Sequence, residues 1–158
     1  MLGYADTVER AIDDYWSRAA RVAYFLVSEA GERLIRRSPI GMPEAWKKKP
    51  PANYIPGKFV SNWNLGIGSA DPTATSATNI RTVNGMDRFP SNPFGQRFVL
   101  SNSSPQALRL ELDHWSKQAP EGMVRLTGLE FDPMFRLAVE RVGGSSGPRE
   151  MHRGGYGR

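Results

Sequence analysis

The longest periodic pattern in the chain lies over residues 5–37. Val8, Ile12, Tyr15, Ala19, Val22, Leu26 and Ala30 recur at alternating spacings of four and three, which puts them on one stripe of a helix. Trp16, Ala23 and Val27 widen the stripe. Asp6 is the expected N-cap, with Glu9 completing a capping box. Gly31 weakens the last turns. Ser38-Pro39 ends the helix, because the residue before proline is pushed out of helical geometry. A rod of roughly 45–50 Å is longer than a small domain covers. Most of the stripe is therefore expected on the core, and one end on a neighbouring subunit.

The rest of the chain is shorter in its rhythms. Phe59, Ser61, Trp63 and Leu65 alternate with Val60, Asn62 and Asn64, so residues 58–66 read as a strand with Trp63 facing the core. A short strand is expected over 79–83, followed by an Asn84-Gly85 turn. A clearer strand spans 96–101, with Phe98 and Leu100 on one face. Ser104-Pro105 opens a short helix through Ala107, Leu108 and Glu111. Residues 118–121 break the chain, and 123–127 form a short strand or extended lead-in. A second helix covers 129–142, with Phe131, Met134 or Phe135, Ala138 and Val142 inward. The fold class is α+β: a small, mainly antiparallel β-sheet packed by a long N-terminal helix and a C-terminal helix. One domain, 1–142, precedes a flexible Gly/Arg-rich tail, 143–158.

Two loops, about 41–57 and 68–95, exceed the roughly 12–15 residues usual for irregular connections in compact domains. The first holds Pro43, Pro50, Pro51 and Pro56; the second is rich in Ser, Thr, Asn and Gly. Such loops are expected to become ordered against something else, which points toward an assembly component.

Composition narrows the chemistry. The 158 residues include no cysteine, which excludes disulfides, thiolate metal sites and a cysteine nucleophile. His114 and His152 lie far apart and in no metal-binding spacing. Asp113-His114 beside Ser116 is no triad, since adjacent residues cannot orient one another as a triad requires. Gly66-Ile67-Gly68 lacks the rest of a phosphate loop. The pattern predicts neither an enzyme nor a cofactor or metal, and it argues against a secretory leader and a membrane span. Net charge is +5, with Lys47, Lys48 and Lys49 in one loop and Arg149, Arg153 and Arg158 in the tail. These cations permit contact with nucleic acid, and Arg153-Gly154-Gly155-Tyr156-Gly157-Arg158 resembles an Arg-Gly-Gly segment. A nucleic-acid-binding accessory protein is thus one alternative reading.

The most specific segment is Ser116-Lys117-Gln118-Ala119-Pro120-Glu121-Gly122-Met123-Val124-Arg125-Leu126-Thr127. It resembles the C-terminal signature of the neck and tail-completion proteins of long-tailed bacteriophages. Ser38-Pro39-Ile40-Gly41 is similar to that family's turn after its first helix. Gly57-Lys58-Phe59-Val60-Ser61-Asn62-Trp63 and Phe98-Val99-Leu100-Ser101-Asn102 resemble its strands. The resemblance covers residues 5–142.

It implies a structural virion protein that assembles in the host cytoplasm into a ring of six or twelve copies. The ring sits at the head–tail junction. Its neighbours are a portal-side connector or head-completion protein and a tail terminator or tail tube protein, and genomic DNA passes through its bore. Gln118, Ala119, Pro120, Gly122, Met123 and Arg125 are then structural or interface candidates, and Trp63 and Trp115 are expected to anchor core or interface.

Overall fold

A computed structural model describes residues 3–49 and 52–144. The tail arginines Arg149, Arg153 and Arg158, and the expected tail from 145 onward, lie outside the described residues.

Helix α1 spans Tyr4–Arg37. Gly3 is its N-cap, and Asp6 stands one turn inside, its carboxylate accepting from the Gly3 N–H at 3.0 Å. Asp6 is therefore not the cap itself. Its carboxylate satisfies an end donor from within the first turn, where negative charge also suits the helix dipole.

Burial along α1 is graded. Gly31, Leu34 and Ile35 are buried, residues 25–30 are half-buried, and residues 4–17 are exposed on every side. The N-terminal part of the stripe, Val8, Ile12 and Tyr15, thus meets solvent. The apolar periodicity is real, but the chain runs out of partners halfway along the rod. Gly31 has a packing role where the pattern showed only a weak spot. A Cβ there would meet Val83 Cγ2 at 2.6 Å, so glycine lets the 68–84 segment lie against the helix.

Two short strands form the sheet. β1 (Asn64–Ile67) pairs antiparallel with β2 (Phe98–Ser101), with Leu65 opposite Leu100. The expected strand over 58–66 is thus half its predicted length. Its first part is a turn and a 3-10 helix at Val60–Asn62. The cause is local: the Asn62 amide donates to Lys58 O at 2.6 Å, and such a bond competes with a ladder. The strand expected over 79–83 is absent too. Ile80 gives its N–H to Ser61 Oγ and accepts from that hydroxyl, so a side chain takes the bonds that a neighbouring strand would have used.

α2 (Ala107–Glu111), α3 (Val124–Leu129) and α4 (Phe131–Gly143) complete the chain. α3 replaces the extended lead-in expected over 123–127. In α4, Met134, Ala138 and Val142 are buried at i, i+4 spacing, while Phe131 and Phe135 are about half exposed. Phe131 shares the phase of that buried face but stands at the first residue of α4, where it is 53% exposed. α4 packs along α1. Its start meets Arg33 and Arg37 through Glu130, and its end brings Arg141 over the Phe25 ring, so the two run antiparallel.

The main core joins Leu34 and Ile35 of α1 to Phe59, Val60, Trp63, Leu65, Leu110 and Met123. The architecture is α+β, a two-stranded antiparallel sheet with a long first helix and shorter helices at the C-terminal side.

The 68–95 loop is ordered within the single chain, contrary to the expectation that it needs a partner. The side-chain amides of buried Asn62 and Asn64 and half-buried Asn84 hold it. Asn62 exchanges bonds with Thr75, Asn64 donates to Asp71 O and Thr73 O, and Asn84 donates to Trp63 O and Asn64 Oδ1. These bonds satisfy loop backbone groups that a ladder would otherwise serve. Further on, Phe89 stacks on Phe98 at 4.7 Å, and Phe94 meets the edge of Trp16 at 4.8 Å.

Candidate functional site

The 116–127 segment is a clamp between the two ends of the fold. Gln118 Oε1 accepts from the N–H groups of Ile40 at 3.1 Å and Gly41 at 3.5 Å. It thereby satisfies backbone donors in the turn that follows α1. Ala119 is buried against the core and Pro120 is exposed. Gly122 takes a φ of +83°, a left-handed geometry that glycine adopts without a Cβ penalty. Met123 then enters the core at 1% exposure.

α3 starts here with no capping side chain of its own. Glu111, at the end of α2, supplies the cap from twelve residues away. Its carboxylate accepts from Met123 N at 2.6 Å, Val124 N at 3.0 Å and Arg125 N at 2.9 Å. Glu111 thus satisfies three of the four unpaired donors of a helix start, which favours a helix over 123–127 despite its β-branched residues. The side chain of Arg125 stays at the surface, paired with Glu121 at 3.2 Å.

A second polar junction ties α1 to α3 and α4. Glu130 accepts from Arg33, and from Arg37 at 2.6 Å, while Arg37 also donates to Thr127 Oγ1 at 3.0 Å. Ser38, at the end of α1, accepts from Trp63 Nε1 at 2.7 Å and donates to Leu34 O at 2.7 Å. Trp63 is therefore a core residue with its one polar atom satisfied.

Three carboxyls are held below their ordinary values. Burial works to raise Glu111, but the three backbone donors outweigh it. Arg37 and then Arg33 lower Glu130 against partial burial. The Thr73 hydroxyl, Arg88 and the Thr73 N–H bring Asp71 down to about 2. Carboxyls of unfolded chains titrate near 4. Because the folded values are depressed, the stability these groups contribute is complete above about pH 5 and is lost as pH falls through the folded values. The urea midpoint is expected to hold between pH 8 and 6 and to fall steadily from pH 5 to 3, less steeply in Glu111→Gln. An unchanged midpoint at pH 3 would contradict these assignments.

No family model matches the chain, and no curated protein or solved structure matches it.

The remaining predicted site residues that are described, Trp115 and Lys47 to Lys49, lie together at the surface. Trp115 is half-buried, with Arg109 over its ring at 4.6 Å and Lys48 at 5.8 Å. Lys47, Lys48 and Lys49 are exposed. Backbone bonds from Lys47 N to Trp115 O and from Lys117 N to Ala45 O, each 2.9 Å, join their loop to the 115–117 segment. Lys58 and Arg109 line one cleft with Tyr54 and Ile55. The structure thus brings Lys48 and Trp115 together, with Trp115 at the edge of the core that holds Trp63.

Two contacts escaped the sequence pattern, the Trp46 bond and the Glu111 cap. Trp46 is buried and donates to Gly41 O at 3.2 Å, although the proline-rich loop around it shows no periodicity. Glu111 escaped because a cap supplied across twelve residues leaves no local signature. Ser116 is buried and accepts from Gln118 N at 3.1 Å, which engages its hydroxyl in a turn. Among the described residues no group of His, Asp and Glu is placed to hold a metal ion, and no helix is long and apolar enough to cross a membrane.

The other exposed feature is the first half of α1. Tyr4 is 87% exposed, and Ile12 and Trp16 are each 50% exposed. Tyr4, Ala5, Val8 and Ile12 share one shallow apolar surface. Farther along, Trp16, Tyr24 and Phe25 face Phe89 and Phe94 across an open groove of about 930 Å³.

Proposed function

We propose that this chain is a structural subunit of a phage virion. In this reading it forms a ring at the head–tail junction, joining a portal-side connector or head-completion protein to a tail terminator or tail tube protein, with a bore for DNA. The observation that carries the assembly reading is the bare half of α1. An aromatic and aliphatic stripe three turns long, exposed on a single copy, marks a surface that another protein covers. The resemblance of residues 116–127 to neck proteins supplies the location. The clamp built by those residues holds α1, and so the direction of the projecting rod, rigidly against the body.

Work of this kind is mechanical: copies close a circle through repeated contacts between unlike patches. Mass photometry of the purified chain is expected to show a closed species of six or twelve copies, and immunodetection is expected to find the chain in purified particles of the phage that encodes it. A protein that is monomeric at tens of micromolar and missing from particles would overturn this reading. The basic surface around Lys48 and Arg109 favours a second reading, an accessory protein that binds nucleic acid. It predicts duplex binding with a steep salt dependence.

A further inference from the structure

We propose that the ring contact is made between the exposed half of α1 in one copy and the basic face around Trp115 in the next. This rests on the ring reading above and names its two surfaces. On a helical projection at 100° per residue, Tyr4, Val8 and Ile12 form the apolar stripe, Glu9 lies at its edge, about 60° past Ile12, and Asp13 and Asp6 lie farther round the helix. Residues 4–17 carry four carboxylates, Asp6, Glu9, Asp13 and Asp14, against one cation, Arg10. Asp14 is paired with Arg18, whereas Glu9 and Asp13 are exposed and have no ion-pair partner among the described residues.

The complementary surface has the opposite sign. Lys48, Lys58 and Arg109 surround Trp115 and the adjoining cleft, and among the described residues none of the three has a carboxylate partner within salt-bridge distance. Apolar side chains accompany them. Ile55 lines the same cleft and is 48% exposed, and Ile40 and Met42 are exposed beside it on the turn after α1. An apolar stripe with an acidic edge therefore faces an apolar patch with cationic neighbours.

Geometry keeps the two surfaces apart in one copy. The basic face sits at the C-terminal end of α1, where Tyr54 Oη donates to Ile40 O at 3.2 Å. The acidic stripe lies at the other end of the same helix, roughly 40 Å away at 1.5 Å per residue. A straight helix cannot fold back on itself, so the donor of one copy reaches only the acceptor of another. Such a contact joins unlike patches and repeats head to tail, the arrangement that generates a closed ring when the rotation between copies closes.

The test uses the full chain and exposed positions only. Glu9→Lys with Asp13→Lys reverses the acidic edge, and Lys48→Glu with Lys58→Glu reverses the basic face. Each pair is expected to weaken assembly at least roughly tenfold by mass photometry, with circular dichroism and the thermal midpoint unchanged. All four substitutions in one chain are expected to restore it. Sodium chloride at high concentration is expected to weaken the wild-type ring and leave the body folded. Rings that form unchanged in both reversed pairs, or that fail to return in the fourfold variant, would overturn this contact and leave the ring reading standing. A wild-type chain that never assembles would overturn both. Loss of duplex DNA binding in Lys48→Glu with Lys58→Glu, with assembly intact, would assign the basic face to nucleic acid instead.

Discussion

Trp63→Ala is expected to lower the unfolding free energy by about 3–5 kcal/mol, the range for removing a large aromatic from a packed core. Trp63 is 3% exposed and meets Phe59 edge-on at 6.1 Å. Its indole N–H also reaches Ser38 Oγ, and Ser38 in turn bonds the last turn of α1. The alanine variant thus removes packing and a buried donor that steadies the helix end. Trp63→Phe separates the two effects. It keeps much of the ring volume but leaves Ser38 without its donor, so a smaller loss of about 1–3 kcal/mol is expected. Urea unfolding followed by far-UV circular dichroism measures both. Equal losses in the two variants would mean that the hydrogen bond, and not the packing, dominates.

Gly122→Ala is expected to cost about 2–4 kcal/mol, from two independent causes. The first is the left-handed backbone at φ +83°. The second is space, because a Cβ at this position would lie 2.7 Å from Glu111 Oε1 and 3.0 Å from Glu111 O. The carboxylate that caps α3 would have to move, and three backbone donors would lose it. Gly95→Ala is the control. Gly95 also has a positive φ, +73°, but nothing lies within 4 Å of its Cβ position. It is expected to lose only about 1 kcal/mol, the steric cost of left-handed geometry. Similar midpoints for the two variants would show that Glu111 yields freely and that the cap contributes little.

Much of this fold is legible along the chain because the signals are local. The 4–3 spacing located α1, Ser38-Pro39 its end, and Phe98 to Ser101 a strand. The positions that departed from the pattern are those where a distant group supplied a backbone partner. Residues 123–127 read as extended because their cap, Glu111, is remote in sequence. Residues 60–62 and 79–83 read as strands, yet Asn62 and Ser61 side chains took over the hydrogen bonds that strands would have made. A polar side chain competing for backbone groups leaves the alternation of apolar residues intact and removes the ladder.

The candidate surfaces divide in the same way. Apolar periodicity marks a face of α1 but carries no information on whether anything lies against it. Coverage depends on where the 89–94 loop and α4 fall along the rod, and they reach only as far as about Trp16. The three lysines at 47–49 were visible as a run, whereas their grouping with Arg109 and Trp115 arises from bonds between chain segments some seventy residues apart. Short-range spacing is written in the order of residues, through the 3.6-residue turn and the constraints of proline and glycine. Burial, remote capping and the pairing of charges depend on which segments meet in space, and that follows from how the whole core closes.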